Sequence, residues 1–168
     1  MSMSDKINRL VRELGNQLLE RNLSLVTAES CTGGGISEAI TRASGSSEWF
    51  DRGYVTYSND SKIELLGVNK ITLERHGAVS ENTVAEMVTG AIENSQASFC
   101  IAVSGIAGPG GGTTEKPVGT IFIGWGYYMV HESPPKVEVN RFLFSGDRHL
   151  VRGKTILEAL KGACKLLK

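Results

Sequence analysis

Apolar residues recur along this chain with two periods, and the longer period predicts helices near both ends. Residues 5–21 carry apolar side chains at intervals of three and four positions, the pattern of an amphipathic helix. These side chains are Ile7, Leu10, Val11, Leu14 and Leu18. A final helix is predicted to begin near Asp147, and its apolar side chains include Leu150, Ile156, Leu157, Leu160 and Leu167. Shorter helices are predicted over residues 35–43, from residues 58–60 to Gly67, and over residues 81–94.

Short runs of apolar and β-branched residues predict five strands. They cover residues 23–28, 53–57, 99–104, 118–127 and 136–144. Because helices separate the earlier strands, we expect crossover connections and a largely parallel sheet, with a late hairpin that adds an antiparallel pairing. Pro134 and Pro135 mark the turn region of that hairpin. The length of 168 residues fits one α/β domain over residues 1–168.

The charge balance and the cysteines narrow the classes of function. Lys and Arg together number 18, as do Asp and Glu, so the formal net charge is zero. This balance argues against a general nucleic-acid binder, which needs a basic excess to hold phosphates, but it leaves room for a small anionic ligand. The cysteines Cys31, Cys100 and Cys164 are odd in number and widely spaced, so we expect reduced thiols rather than disulfides or a zinc site.

The N-terminal residues and the longest apolar runs bear on where the protein works. The first six residues lack the apolar region of a signal peptide. No apolar run reaches the length of a membrane span. A cytoplasmic protein with no membrane partner is therefore expected.

Three polar segments rich in glycine or hydroxyl groups follow predicted strands, at residues 29–35, 57–62 and 104–113. In open α/β sheets, ligands bind beyond the carboxyl ends of the strands. The convergence of these segments at one sheet edge is therefore the main indication of a ligand site.

In the first segment, Ser30 lies where a strand leads into a helix, and Thr32, Gly33 and Gly34 follow it. Glycines let backbone N–H groups approach a ligand closely, and a helix N-terminus favours a developing oxyanion. Ser30 is therefore a candidate nucleophile, with the N–H groups of residues 32–34 as candidate substrate contacts. The sequence leaves two alternatives open: a hydroxyl that only caps the helix, and Cys31 as the nucleophile, since a helix N-terminus lowers a thiol pKa.

The second segment contains Tyr57 at the end of a strand and Lys62 in the first turn of the next helix. A lysine at this position opposes the helix dipole, so shielding from water would favour its neutral form. A neutral lysine is able to take the proton of a serine hydroxyl, as in Ser-Lys hydrolases. The alternative is an ordinary solvated lysine.

The third segment, residues 104–113, resembles a loop for phosphate or another polar ligand, and Ser104 and Gly105 begin it. It matches neither the Walker A pattern nor the dinucleotide pattern, because Thr113 stands where the last glycine of the latter is required. A flexible loop without a ligand is the alternative. Arg148 and Arg152 are candidates for pairing with a ligand phosphate or with carboxylates.

The histidines do not indicate a metal site. His76, His131 and His149 have no Asp or Cys partners at metal-ligand spacing. A Ser-His-Asp triad stays open, but no spacing selects it.

Together these segments resemble the CinA C-terminal domain family, whose single-domain members include nicotinamide mononucleotide deamidases. The most specific block is Thr27-Ala28-Glu29-Ser30-Cys31-Thr32-Gly33-Gly34. Further blocks follow in the family's order through almost the whole chain, at residues 45–50, 53–62, 76–80, 104–109, 116–120 and 144–152.

The resemblance implies a three-layer α/β/α sandwich with a mixed sheet, and hydrolysis of the carboxamide of nicotinamide mononucleotide without metal or cofactor. It also implies Ser30 as nucleophile, Lys62 as base and Tyr57 as an assisting residue, with Ser104 and Arg148 as substrate contacts. A homo-oligomer is a reasonable expectation for this family. The metal-dependent pyrophosphatase domain of larger members has no counterpart in these 168 residues, so its activity is not assigned. Two alternatives remain: a non-catalytic nucleotide-binding or regulatory module, and a Ser-Lys amidase for another amide.

Overall fold

A computed structural model describes residues 1–128 and 134–168 of the chain, so His131 lies outside the described residues. The helices are α1 (Met3–Glu20), α2 (Gly35–Thr41), α3 (Asn59–Leu66), α4 (Lys70–His76), α5 (Glu81–Glu93) and α6 (Arg148–Leu166). The strands are β1 (Leu25–Glu29), β2 (Phe50–Val55), β3 (Phe99–Gly105), β4 (Thr120–Tyr127) and β5 (Lys136–Leu143). Within the described ranges, no helix has both the length and the apolar composition that a membrane crossing requires.

The five strands form one mixed sheet in the order β2-β1-β3-β4-β5. Strand β1 pairs in parallel with β2 on one side and with β3 on the other. Strand β4 runs antiparallel to both β3 and β5. The mixed α/β sheet predicted from the sequence is thus confirmed, although only two of its four pairings are parallel.

Helices cover both faces of the sheet, which gives the three layers. Side chains alternate across a strand, so Ile101 and Val103 of β3 face one core and Cys100 and Ala102 face the other. The first core contains apolar residues of α1, α2 and α6. The second contains apolar residues of α3, α4 and α5. Both faces of the central strands are therefore buried, as their nearly continuous apolar sequences require.

Helix α4 is the α-helix that the apolar pattern does not predict. It is seven residues long, and Leu73 is its only buried residue. Local chemistry defines its ends, since Asn69 accepts a hydrogen bond from the N–H of Ile71 and Gly77 ends the helix with φ at 75°. One buried residue in two turns is too little periodicity to recognise in a sequence.

The direction of the strands determines where the polar segments meet. Because β1, β2 and β3 are parallel, their carboxyl ends lie at the same edge of the sheet. The chain leaves these ends at Ser30, Thr56 and Ile106. The three candidate segments of the sequence therefore lie side by side.

Candidate active site

A cavity of about 200 Å³ lies at this edge of the sheet. Six of the residues predicted from the sequence line it: Ser30, Tyr57, Lys62, Ser104, Gly105 and Arg148. Four further residues complete its wall: Cys31, Ala78, Val79 and Ala107. The predicted residues 32–34 do not line this cavity, and they form the turn between Ser30 and helix α2.

Ser30 is the first residue beyond β1, and its backbone still follows the sheet. Its N–H donates to the carbonyl of Val103 on β3 at 3.1 Å. The residue is 8% exposed, so its hydroxyl lies at the floor of the cavity rather than on the open surface. A side chain on a backbone held in this way is more rigidly placed than one on a free loop.

Lys62 brings its amine to the Ser30 hydroxyl. Its Nζ lies 3.1 Å from Ser30 Oγ, 2.7 Å from the Thr56 carbonyl oxygen and 3.5 Å from the Tyr57 carbonyl oxygen. Helix α3 begins with Ser58 as N-cap, where the Ser58 hydroxyl accepts from the N–H of Ser61. This cap sets the direction of the helix and hence of the lysine stem.

The amine of Lys62 is removed from water, and this changes its protonation. The residue is 1% exposed, and no carboxylate among the described residues forms a salt bridge with it. Burial penalises the charged form and lowers the pKa of Lys62, while the charge of a Cys31 thiolate would oppose this effect. A lysine of lowered pKa supplies the neutral amine that a general base needs.

Cys31 is the rival nucleophile, and its surroundings oppose that role. The residue is 5% exposed, and burial raises the pKa of its thiol to about 12. The thiolate is the reactive form of cysteine, so a buried thiol of high pKa is inert at neutral pH. The structure therefore favours Ser30 over Cys31, a choice that the sequence left open.

Residues 32–34 contact their neighbours through the Thr32 hydroxyl and through backbone groups. The Thr32 hydroxyl donates to Glu29 Oε2 at 2.6 Å, and the N–H of Gly33 donates to the Ser30 carbonyl at 3.0 Å. Gly34 adopts φ of 92°, a left-handed conformation that favours glycine. Among the described hydrogen bonds, none uses the N–H of Thr32 or Gly34.

Arg152 of α6 holds the same turn from the other side. Its Nε donates to the Cys31 carbonyl at 3.2 Å and its Nη2 to the Thr32 carbonyl at 2.8 Å. In a trans peptide the N–H points opposite to the carbonyl. The Thr32 N–H therefore points away from Arg152. The sequence predicted that Arg152 pairs with a phosphate or a carboxylate, and the structure instead shows it bound to the backbone of the turn at residues 31–34.

Tyr57 and Arg148 meet at the rim of the cavity. Arg148 Nη2 donates to the Tyr57 hydroxyl at 3.0 Å, and its Nη1 donates to the Gly108 carbonyl at 2.8 Å. Tyr57 is 62% exposed, so its ring faces the entrance rather than the buried amine. The contact between Tyr57 and Lys62 runs through the Tyr57 carbonyl.

Ser104 and Gly105, at the end of β3, line the cavity together with Ser30. The Ser104 hydroxyl donates to the Ala78 carbonyl at 2.7 Å, which ties β3 to the loop before α5. A Cβ on Gly105 would lie 2.8 Å from the Thr120 carbonyl oxygen, so this position requires glycine. The role of residues 78 and 79 was missed by sequence reasoning, and the block at residues 76–80 was the signal that marked them.

His76 and His149 are exposed and do not line the cavity, and among the described residues the side chain that contacts the Ser30 hydroxyl is Lys62. Two buried groups that support the site were also missed, the Thr56 carbonyl and the Glu29 carboxylate. A carboxylate at the end of a short, mostly apolar strand was the available signal for Glu29. Within residues 1–128 and 134–168, no cluster of three or more His, Cys, Asp or Glu side chains is placed to hold a metal ion.

Comparisons with known proteins place this chain in a family. The chain is 49% identical to the nicotinamide-nucleotide amidohydrolase PncC of Pseudomonas putida over 96% of this chain and 98% of that protein. It is 43% identical to the protein of the same name from Escherichia coli K12, over 93% of this chain and 92% of that protein. The crystal structure of competence/damage inducible protein CihA from Agrobacterium tumefaciens superimposes with a TM-score of 0.91 at 40% identity, covering 97% of this chain and 96% of that one. The CinA C-terminal domain model matches residues 7–167, and this chain belongs to that family.

Proposed function

We propose that this protein hydrolyses the carboxamide of nicotinamide mononucleotide to nicotinate mononucleotide and ammonia, with Ser30 as nucleophile and Lys62 as base. The observation that carries the proposal is the 3.1 Å contact between Lys62 Nζ and Ser30 Oγ at the floor of a cavity. The names of the relatives from Pseudomonas putida and Escherichia coli support the substrate.

The surroundings of the Lys62 amine suit both protonation states that such a base must adopt. A neutral amine has two N–H donors and one lone pair. The carbonyls of Thr56 and Tyr57 accept only, so they take the two N–H groups and leave the lone pair for the Ser30 hydroxyl proton. After proton transfer, the ammonium form donates to the same three oxygens. Lys62 is therefore able to gain and lose a proton without a rearrangement.

In the first half of the reaction, Ser30 Oγ attacks the carboxamide carbon while neutral Lys62 takes the hydroxyl proton. The carbonyl oxygen becomes an oxyanion, and the N–H groups of Thr32 and Gly34 are the proposed donors to it. Lys62 then gives its proton to the amide nitrogen. The C–N bond breaks, ammonia leaves and an ester on Ser30 remains.

In the second half, a water molecule attacks the ester carbon. Lys62 takes a proton from the water and returns it to Ser30 Oγ as the C–O bond of the ester breaks. Nicotinate mononucleotide is released, and Ser30 and Lys62 regain their starting protonation states. Over both halves, one water is consumed for each amide.

The cavity and its rim offer separate binding places for the ring and for the phosphate of the substrate. A volume of about 200 Å³, walled by Ala78, Val79 and Ala107, suits a flat pyridine ring. Arg148 lies at the rim, where its guanidinium is exposed and able to pair with the phosphate that extends from the ring. The ring would then bring the carboxamide to Ser30 while the charged end remains near the surface.

Ammonia release from nicotinamide mononucleotide by the purified protein, in the presence of a chelator, tests the proposal. We expect turnover that is lost in Ser30→Ala and Lys62→Ala. Wild-type protein that binds the nucleotide but releases no ammonia would contradict the proposal and indicate a regulatory or binding module. A panel of other amides tests the remaining alternative, a Ser-Lys amidase for another amide. A higher kcat/KM on an amide without the nucleotide would assign a different substrate.

A further inference from the structure

Glu29 is a fully buried carboxylate beside the nucleophile that the mechanism above does not use. We propose that Glu29 is the positioning residue that holds both Ser30 and Lys62 in their reactive geometry, an inference that rests on the proposed function for its kinetic consequences. It does not line the cavity, so it acts through its neighbours rather than on the substrate.

The carboxylate of Glu29 binds the turn that follows Ser30. Oε2 accepts from the Thr32 hydroxyl at 2.6 Å and from the Ile36 N–H at 2.9 Å. Oε1 accepts from the N–H and the hydroxyl of Ser37, both at 2.8 Å. Four donors thus converge on one side chain, and they fix the chain on both sides of the glycines at residues 33–35. Hydrogen bonds to a buried carboxylate are among the stronger ones in proteins.

The backbone of Glu29 holds the other half of the site. Its carbonyl accepts from the Thr56 N–H at 2.9 Å, and the Thr56 carbonyl in turn accepts from Lys62 Nζ at 2.7 Å. The nucleophile is the next residue along the chain. One residue therefore joins the turn of the nucleophile to the carbonyl that orients the base.

A carboxylate is the side chain that this position requires. Each of its two oxygens faces one hydroxyl and one backbone N–H, and the N–H groups of Ile36 and Ser37 need an acceptor. The Glu29→Gln variant keeps the length and shape of the side chain but replaces one oxygen by an NH2 group. Whichever oxygen is replaced, that group would face a backbone N–H, of Ile36 or of Ser37, which cannot accept a hydrogen bond, so that part of the turn would have to move. Misplacement of a reactive group by about 1 Å is enough to lower a rate about 100-fold.

The test compares Glu29→Gln with Glu38→Gln, a control on α2 whose exposed carboxylate pairs with Arg42 at the surface. We expect kcat of Glu29→Gln to fall about 100-fold with KM changed less than about threefold, and both constants of Glu38→Gln to stay near wild type. In a crystal structure of Glu29→Gln, we expect Ser30 Oγ and Lys62 Nζ to lie beyond hydrogen-bond distance. Unchanged kcat together with an unchanged contact would overturn the inference.

A second variant covers the case in which Glu29→Gln fails to fold. Thr32→Val removes one of the four donors and keeps the shape of the side chain. We expect it to lower kcat about tenfold without raising KM, whereas a substrate-binding role of the hydroxyl would raise KM. If the wild-type protein shows no turnover, the proposed function is refuted but the positioning role of Glu29 is not. That role is still tested by the distance between Ser30 Oγ and Lys62 Nζ in the variant structures.

Discussion

Lys62 Nζ lies 3.1 Å from Ser30 Oγ, although the two residues are 32 positions apart in the chain. The parallel pairing of β1 with β2 creates this contact, because it brings the end of β1 beside the segment that begins α3. Lys62 is buried and forms no salt bridge with a carboxylate among the described residues, which distinguishes this contact from one between a serine and a surface lysine.

The activity should rise with pH. Only neutral Lys62 accepts the Ser30 proton, and burial lowers the pKa of Lys62 below the ordinary value of 10.5. The ascending limb of kcat/KM against pH should therefore have its midpoint below that value. A Lys62→Arg variant should be inactive over the whole range, since a guanidinium stays charged. Wild-type activity that is independent of pH, or a residual rate in Lys62→Arg that exceeds one tenth, would contradict this role.

The stability of the fold should also depend on the charge of Lys62. A buried amine of lowered pKa binds fewer protons in the folded state than in the unfolded state, so it destabilises the fold more as pH falls. In Lys62→Met this dependence is removed. The unfolding free energy of the variant, relative to wild type, should therefore decrease as pH rises from the lowered pKa toward 10.5. Denaturant unfolding at a series of pH values measures it, and a difference that is independent of pH would contradict the burial argument.

The choice of nucleophile is tested by Cys31. Its thiol pKa of about 12 leaves almost no thiolate at neutral pH, so the residue should react slowly with alkylating reagents in the folded protein. Cys31→Ala should keep most of the wild-type kcat, whereas Ser30→Ala should lose about 1,000-fold or more, as hydrolases do without their nucleophile. Rapid alkylation of Cys31, or loss of activity in Cys31→Ala alone, would reopen its role.

Arg148 should contribute to substrate affinity more than to chemistry. It lies at the rim and donates to the Tyr57 hydroxyl and the Gly108 carbonyl, away from the Ser30–Lys62 pair. Arg148→Gln should raise KM for nicotinamide mononucleotide by about tenfold or more with a smaller change in kcat, because a charged hydrogen bond to the phosphate is lost. Arg75→Gln, on the exposed side of α4, serves as the control of equal charge change. An effect on kcat alone would argue that Arg148 acts at the reacting carbon.

One glycine far from the cavity should limit stability. A Cβ on Gly90 of α5 would collide with the backbone carbonyl of Leu66, which cannot rotate away as a side chain does. Gly90→Ala should therefore destabilise the fold by about 2 kcal/mol or more, even though alanine favours a helix. Gly110→Ala is the matched control, since its Cβ would meet no atom within 4 Å. Equal melting temperatures of the two variants would show that α3 and α5 separate more easily than the close contact indicates.

Most of the helices and strands, and their order along the chain, follow from local patterns in the sequence. The apolar period predicts α1 and α6, and strand-like runs predict β1 to β5, because amphipathic periodicity and β-branched content act over a few residues. Helix α4 escapes this reasoning, since it buries only Leu73. The predicted largely parallel sheet is half antiparallel in its pairings, because β4 enters beside β3 in the opposite direction.

The sequence by itself determined the family, the three strand-end segments and the candidacy of Ser30, Tyr57 and Lys62, since these depend on residue types in fixed local order. Only the tertiary structure showed that the Cys31 thiol is buried with a raised pKa, which favours Ser30 over Cys31, and that Lys62 is buried rather than solvated. Burial, desolvation and contact with residues far along the chain set those properties, and no local pattern contains them. The hydrogen bonds of Glu29 are likewise not contained in a local pattern, because its four donors come together only after the turn and helix α2 have packed against β1.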